Sequence, residues 1–297
     1  MKKIIIVGCS VSGHTAAVNL KNKSDKFEVS IITEENYPFY DRRKLTELIS
    51  GNINEEKELF VCEEEFYRKS NINFLKDSAV VSANISKKQL SLKDKQASLN
   101  FDYLVVASGQ KPVVPEIPGS RKTGVFSFYS LQDAKDITAY FIDEQICLVG
   151  LNDVSLHLSE ALAAKYQTGV KIISEVAPSQ AQALPVGVEV IQSKPQEIIG
   201  EGQVQAVKLY SGKIIAASAV IFTDSRQANV GFLKNCGIET IDSRLAVDDL
   251  MRTSNKDIFA CGSVASRRDA FQAEKTWEDC LNDGINLAEN LIKITGD

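Results

Sequence analysis

The sequence predicts an α/β protein built on parallel sheets, with two domains, the second inserted into the first and reduced. Three observations predict it. An apolar run, a glycine and a helix-like stretch open the chain as "KKIIIVGCSVSGHTAAVNL", residues 2–20, and the same order returns as "EQICLVGLNDVSLHLSEAL", residues 144–162. Further strand-like runs alternate with helix-like stretches, as crossover connections between parallel strands require. At 297 residues the chain is long for one domain and comfortable for two.

Composition excludes several classes. Apolar content of 44% and charged content of 25% are ordinary for a globular protein. A net charge of −5 gives no general reason to expect nucleic acid or an anionic membrane as partner. No apolar run reaches the roughly 18 residues needed to cross a bilayer. The start "MKK" leads into only four apolar residues before Gly8, too few for a signal-peptide core, so a cytoplasmic location is expected. The six cysteines (Cys9, Cys62, Cys147, Cys236, Cys261 and Cys280) form no CxxC pair, and there are two histidines, His14 and His157. No metal site or local redox disulfide is therefore written here, and most of the thiols are expected to be small buried apolar groups.

The elements follow in order. Residues Lys3–Val7 are a β-branched run suited to a buried parallel strand. In "GCSVSG", Gly8, Ser10 and Gly13 stand at the three positions of G-x-G-x-x-G, with Val11 and Ser12 between them. Gly8 suits the sharp strand-to-helix turn and Gly13 the close approach of helix to sheet. Ser10 takes the middle position, where a pyrophosphate approaches the backbone, and the helix behind it offers free N–H groups and a positive dipole end. The next strand, "FEVSIIT", ends at Glu34 and Glu35, where an acid would hold the ribose hydroxyls of an adenosine. Further on, "FDYLVVASGQKPVVPEIPG" reads as a strand ending in Ala107-Ser108-Gly109. "DIFACGSVA" delivers a Gly262-Ser263 turn, and "AEKTWEDCLNDGINLAENL" supplies a final helix. Ser211-Gly212 within "VQAVKLYSGKIIAAS" reads as a hairpin turn.

With these motifs in place, nearly the whole chain resembles the FAD-dependent pyridine nucleotide-disulfide oxidoreductase superfamily, closest to its NADH:rubredoxin reductase and nitrite reductase branch. "PFYDRRKLTELISG" is similar to that branch's P-[FY]-x-R-P-x-L-[ST] segment, "ASGQKP" to A-T-G-x-x-P, "IFACGS" to [IV]-[FY]-A-x-G-D, and Trp277 through Gly284 to W-x-x-A-x-x-x-G. The resemblance implies two Rossmann-like domains and FAD as cofactor. It implies that Arg42, Lys44 and Leu45 lie beside the flavin, that Trp277 begins the helix facing it, and that backbone N–H groups near Gly284 meet the pyrimidine edge. The expected FAD domain is residues 1–112 with 241–297, and the expected degenerate NAD(P)H-like domain is 113–240.

The chain departs from the family in telling places. The family's aspartate on the FAD ribityl chain is Ser263 here, which weakens a charge-assisted contact without obstructing the cofactor. Losses are heavier in the second opening. Superposing the repeats sets Gly150 on Gly8, Asn152 on Ser10, Ser155 on Gly13 and Glu175 on Glu34, while Asp153 adds negative charge and His157 replaces an expected glutamate. The family's second A-T-G-x-x-P-N becomes "FTDSRQAN", residues 222–229, and a strand–helix repeat after Glu175 is expected to be deleted. NAD(P)H is not expected at this loop.

No cysteine pair is expected beside the flavin, so no catalytic residue is assigned. Two basic clusters suggest the electron partner: Arg43 among Arg42-Arg43-Lys44, and Arg267-Arg268 after the Gly262-Ser263 turn. A cationic mouth on an acidic protein would steer an acidic carrier of ferredoxin or rubredoxin type, or another oxidoreductase subunit. The expected function is an FAD-dependent oxidoreductase or electron-transfer flavoprotein serving such a carrier, with homodimerisation left open. The alternatives are an NADH-dependent rubredoxin or nitrite reductase-type enzyme, and a non-catalytic subunit that binds FAD or ADP.

Overall fold

The computed structural model describes all residues except 94–97, 141–144, 180–182, 225, 269–273 and 297. In chain order the strands of its two parallel sheets begin with β1 (Lys2–Val7), β2 (Phe27–Ile32), β3 (Ile72–Leu75), β4 (Tyr103–Val106) and β5 (Val125–Ser127). They continue with β6 (Ile146–Val149), β7 (Val170–Ser174), β8 (Val188–Gln192), β9 (Ala219–Phe222) and β10 (Ile258–Ala260). The helices are α1 (Val11–Lys23), α2 (Leu45–Ser50), α3 (Glu64–Lys69), α4 (Leu131–Ala139), α5 (Asp153–Tyr166) and α6 (Trp277–Thr295). The chain divides into two compact units. Met1–Tyr40, Phe60–Gln110 and Gln227–Asp297 form the first, and Asp41–Leu59 with Lys111–Arg226 form the second.

In the first unit the parallel sheet runs β10-β4-β1-β2-β3. Because side chains alternate along a strand, β1 feeds two cores at once. Ile4 and Ile6 pack with Ala16, Ala17 and Leu20 of α1 and with Leu287 and Leu291 of α6. Ile5 and Val7 face the opposite way, toward Leu90, Leu92, Phe101, Leu245 and Val247. That second face is covered by small antiparallel pieces, Val80–Asn84, Gln89–Leu92 and Ser98–Asn100, which the sequence analysis did not anticipate. Since all five strands are parallel, Gly8, Glu34, Ala107 and Gly262 follow the carboxyl ends of their strands along one edge.

The second unit repeats the plan with sheet order β8-β7-β6-β9-β5, again parallel throughout. Between β7 and β8 lie only residues 175–187, with no helix among those described, where the first unit passes through a longer connection. The antiparallel piece Pro195–Ile199, Ala206–Leu209, Ile214–Ala216 turns at Gly212, whose φ of 84° and N–H bond to the Leu209 carbonyl make the expected hairpin. The short helix α2 packs on α4 and α5 within this unit.

Candidate functional site

The first glycine loop is built for close approach. Gly8 has φ of 111°, a conformation that favours glycine, and a Cβ on it would lie 2.2 Å from the Ala107 carbonyl oxygen. A Cβ on Gly13 would lie 2.1 Å from the Gly8 carbonyl oxygen, so only glycine lets α1 start this near to β1. Ser10 is the N-cap of α1, yet its side chain makes no capping hydrogen bond and the first turn carries no acid. Among the described residues no side chain accepts from the leading N–H groups of the helix, and the dipole adds partial positive charge there.

The side chains around these N–H groups are turned away from them. Val11 is buried against Phe39 and Cys280, and the Ser12 hydroxyl meets the Cys280 thiol beneath Gly262. Both residues therefore offer a ligand their main chain. His14 stacks on Phe39 with centroids 4.6 Å apart, its Nδ1 lies 2.9 Å from the Tyr67 hydroxyl, and burial lowers its pKa to about 4. The ring is neutral at pH 7 and adds no charge to the loop. The Cys9 thiol lies 3.2 Å from the same hydroxyl.

The other expected residues take these positions. Glu34 is exposed at the end of β2, while Glu35 accepts a 2.5 Å hydrogen bond from the Tyr40 hydroxyl. Ser108 donates to the Asn229 carbonyl at 2.7 Å, and the Gly109 carbonyl accepts from the Asn229 N–H, so this turn is fixed by the chain itself. Gly262 has φ of 76° and opens a single turn of 3-10 helix that contains Ser263. Trp277, the first residue of α6, stacks on Phe39 at 5.9 Å. Gly284 corrects one expectation. It lies well inside α6, where N–H groups are paired within the helix, and its missing side chain lets α1 approach: a Cβ there would be 2.6 Å from the Ser12 carbonyl oxygen.

Arg42, Arg43, Lys44 and Leu45 belong to the second unit. There the Arg42 guanidinium lies 4.2 Å from the centre of the Tyr129 ring, Lys44 is exposed, and Leu45 is buried as core. Arg43 grips Asp41 with two hydrogen bonds of 2.8 and 2.7 Å, and this contact is the main reason the Asp41 pKa is held below the usual carboxylate range. Arg268 pairs with Glu239 at 2.9 Å and Arg267 more loosely with Asp249 at 3.7 Å. Arg43, Arg267 and Arg268, expected to supply a cationic mouth, thus each have a carboxylate beside them.

The second glycine loop has the same backbone and a different occupant. Gly150 has φ of 106°, matching Gly8. Asn152 caps α5: its side chain accepts the Ser155 N–H at 3.0 Å, and the Ser155 hydroxyl accepts the Asn152 N–H at 3.0 Å. The Asn152 amide also donates to the Thr223 carbonyl at 3.2 Å. Asp153 sits in the first turn. The Asp224 side chain lies against Gly150, where a Cβ would come within 2.4 Å of it. Ser225, part of the altered "FTDSRQAN" segment, lies outside the described residues.

Cys147, Cys261 and Cys280 are buried as expected, and burial raises each pKa, that of Cys147 to about 12. Cys9, Cys62 and Cys236 are instead only half-buried. Two groupings escaped the sequence analysis: the His14–Tyr67–Cys9 contact, and a Lys275–Asp283 ion pair at Gly262. Their members are far apart in sequence or at spacings that suggest no contact.

A parallel-sheet chain with an open glycine-loop helix at its carboxyl edge defines a dinucleotide-binding protein of Rossmann type. The chain belongs to the pyridine nucleotide-disulphide oxidoreductase family, which it matches over residues 2–290. That family consists of FAD-binding flavoproteins. Among its relatives, an NADH oxidase of Methanocaldococcus jannaschii is 26% identical over 300 residues, covering 92% of this chain and 65% of that protein. An NADH-rubredoxin oxidoreductase of Clostridium acetobutylicum is 26% identical over 272 residues, covering 89% of this chain and 68% of that protein. The solved structure of reduced Bacillus anthracis CoADR-RHD matches with a TM-score of 0.89 at 21% identity, over 100% of this chain and 57% of that one. The chain thus spans about two thirds of the length of these two relatives. No helix among the described residues is long and apolar enough to cross a membrane.

Proposed function

We propose that the first unit holds FAD, that the second glycine loop does not hold NAD(P)H, and that the protein exchanges electrons with an acidic carrier protein of ferredoxin or rubredoxin type. The observation carrying this reading is the contrast between the two helix N-termini. At α1 the N-cap side chain makes no capping hydrogen bond and the first turn of the helix carries no acid. At α5 the Asn152 and Ser155 N–H groups are taken up by each other's side chains, Asp153 adds an acid to the first turn, and the Asp224 side chain lies against Gly150. A dinucleotide there would have to displace the cap and face like charge.

The residues of the first unit fit FAD. Leading N–H groups of α1 bind the pyrophosphate, Gly8 and Gly13 let α1 start close enough to β1 to present them, and Glu34 holds the adenosine ribose. When bound, FAD supplies reversible electron uptake, so the chain has only to position it and present it. Arg267 and Arg268 remain partly exposed despite their partners, and the loosely held Arg267 is the more available to a carrier's carboxylates. The relative from C. acetobutylicum, named for both NADH and rubredoxin, supports a carrier partner and also favours the second reading, an NADH-dependent reductase. The preserved backbone of the Gly150 turn favours that reading too.

The test is to titrate the apo-protein with FAD and then mix the loaded protein anaerobically with a reduced low-potential ferredoxin. FAD uptake followed by bleaching of the flavin band is expected. A protein that takes up FAD but is never reduced is the non-catalytic subunit, and one that refuses FAD contradicts the site.

A further inference from the structure

The Gly262–Ser263 turn has lost an acid relative to the family, and an ion pair stands beside it. Asp283, on α6, accepts the Gly262 N–H at 3.0 Å and the Lys275 ammonium at 2.6 Å. Lys275 also donates to the Gly262 carbonyl at 3.2 Å. The pair is well shielded, with side-chain exposures of 11% for Lys275 and 13% for Asp283. An ammonium has three hydrogens, and the third has no acceptor among the described residues. A shielded donor left over is costly unless a ligand or water accepts from it.

The sheet order says which part of a dinucleotide would accept. Along the carboxyl edge the order is β10-β4-β1-β2-β3. With the pyrophosphate on α1, after β1, the ribose acid at Glu34 draws the adenosine over β2 on one side. The other half must then extend over β4 and β10, toward the Gly262–Ser263 turn. Ribityl hydroxyls and flavin carbonyls are acceptors that an ammonium can reach there as a charge-assisted donor.

We infer that Lys275, fixed by Asp283 against the Gly262–Ser263 turn, is the group through which this chain grips the ribityl–flavin half of its dinucleotide. The inference rests on the reading that the first unit holds FAD. A donor at Lys275 takes the place of the aspartate acceptor that the family carries where Ser263 stands, so the contact is kept while its polarity is reversed. Asp283 neutralises the ammonium, which explains how a charge is tolerated in a shielded position.

The test is to titrate the full-length apo-protein with FAD and, separately, with ADP. Lys275→Met is expected to weaken FAD by about tenfold or more, the effect of losing one hydrogen bond from a charged group, and to leave ADP unchanged. Lys275→Arg restores most of the FAD affinity. Because Lys275→Met strands Asp283, the double variant Lys275→Met/Asp283→Asn is measured beside it. If Lys275 contacts the ligand, the double variant binds FAD as weakly as the single one. Recovery of FAD binding in the double variant, an equal loss of ADP, or no loss in Lys275→Met overturns the inference. Failure of the wild type to bind FAD at all instead removes the reading on which it rests.

Discussion

Asn152 and Ser155 hold each other's backbone N–H groups, each at 3.0 Å, and so close the start of α5. At the equivalent place in the first unit, Ser10 leaves α1 uncapped. One chain therefore carries the same strand–glycine–helix opening twice, once without a side-chain cap and once with a capping box.

The open loop depends on Gly13. Gly13→Ala sets a methyl 2.1 Å from the Gly8 carbonyl oxygen and forces α1 away from β1. Overpacking of this kind costs about 1–3 kcal/mol. FAD uptake is expected to fall at least tenfold, and the melting temperature to drop by several degrees. Flavin titration with a thermal melt checks both.

The sealed loop is expected to matter for stability and not for the flavin. Asn152→Ala removes the cap of α5 and should cost about 1 kcal/mol, read as a lower denaturant midpoint. FAD affinity should stay that of the wild type. A variant that instead loses FAD would show that the two glycine loops are not independent.

His14 makes stability depend on pH. Its folded pKa of about 4 is below the ordinary 6.5, so between these values the unfolded chain binds the extra proton. Stability is therefore full above pH 6.5 and is lost as pH falls toward 4, by about 3 kcal/mol from this group. His14→Asn is expected to flatten that part of the curve. Equilibrium unfolding of the two proteins at pH 7, 5.5 and 4.5 checks it, and parallel curves would contradict the burial argument.

Charge reversal tests the carrier surface. Arg267→Glu/Arg268→Glu places like charge beside Asp249 and Glu239 and should slow reduction by ferredoxin about tenfold at low salt, with FAD content intact. The difference should shrink as salt rises, since screening removes long-range steering. Equal rates at low salt would exclude these residues from recognition.

Much of this architecture was legible in the sequence because parallel strands write plainly. Ile4–Val7 is β-branched throughout, since both of its faces are buried, and Gly8 and Gly13 mark the turn where side chains cannot fit. The antiparallel pieces around Ser82 and Ser98 were not legible: short, half-exposed strands have little apolar periodicity. Nor does spacing announce Lys275 with Asp283, because the contact spans the lead-in to α6 and depends on where the Gly262 turn arrives. Gly284 was misread for a related reason. Its place in a motif suggested a ligand, whereas its missing side chain serves the packing of α6 on α1.

The closing of the second loop is tested most directly by adding NADH anaerobically to the FAD-loaded protein and following the flavin band in stopped flow. The account expects the oxidised spectrum to persist, with bleaching only when a reduced carrier protein is supplied. Rapid bleaching by NADH alone would contradict it, and would mean that a dinucleotide reaches the flavin despite Asn152, Asp153 and Asp224.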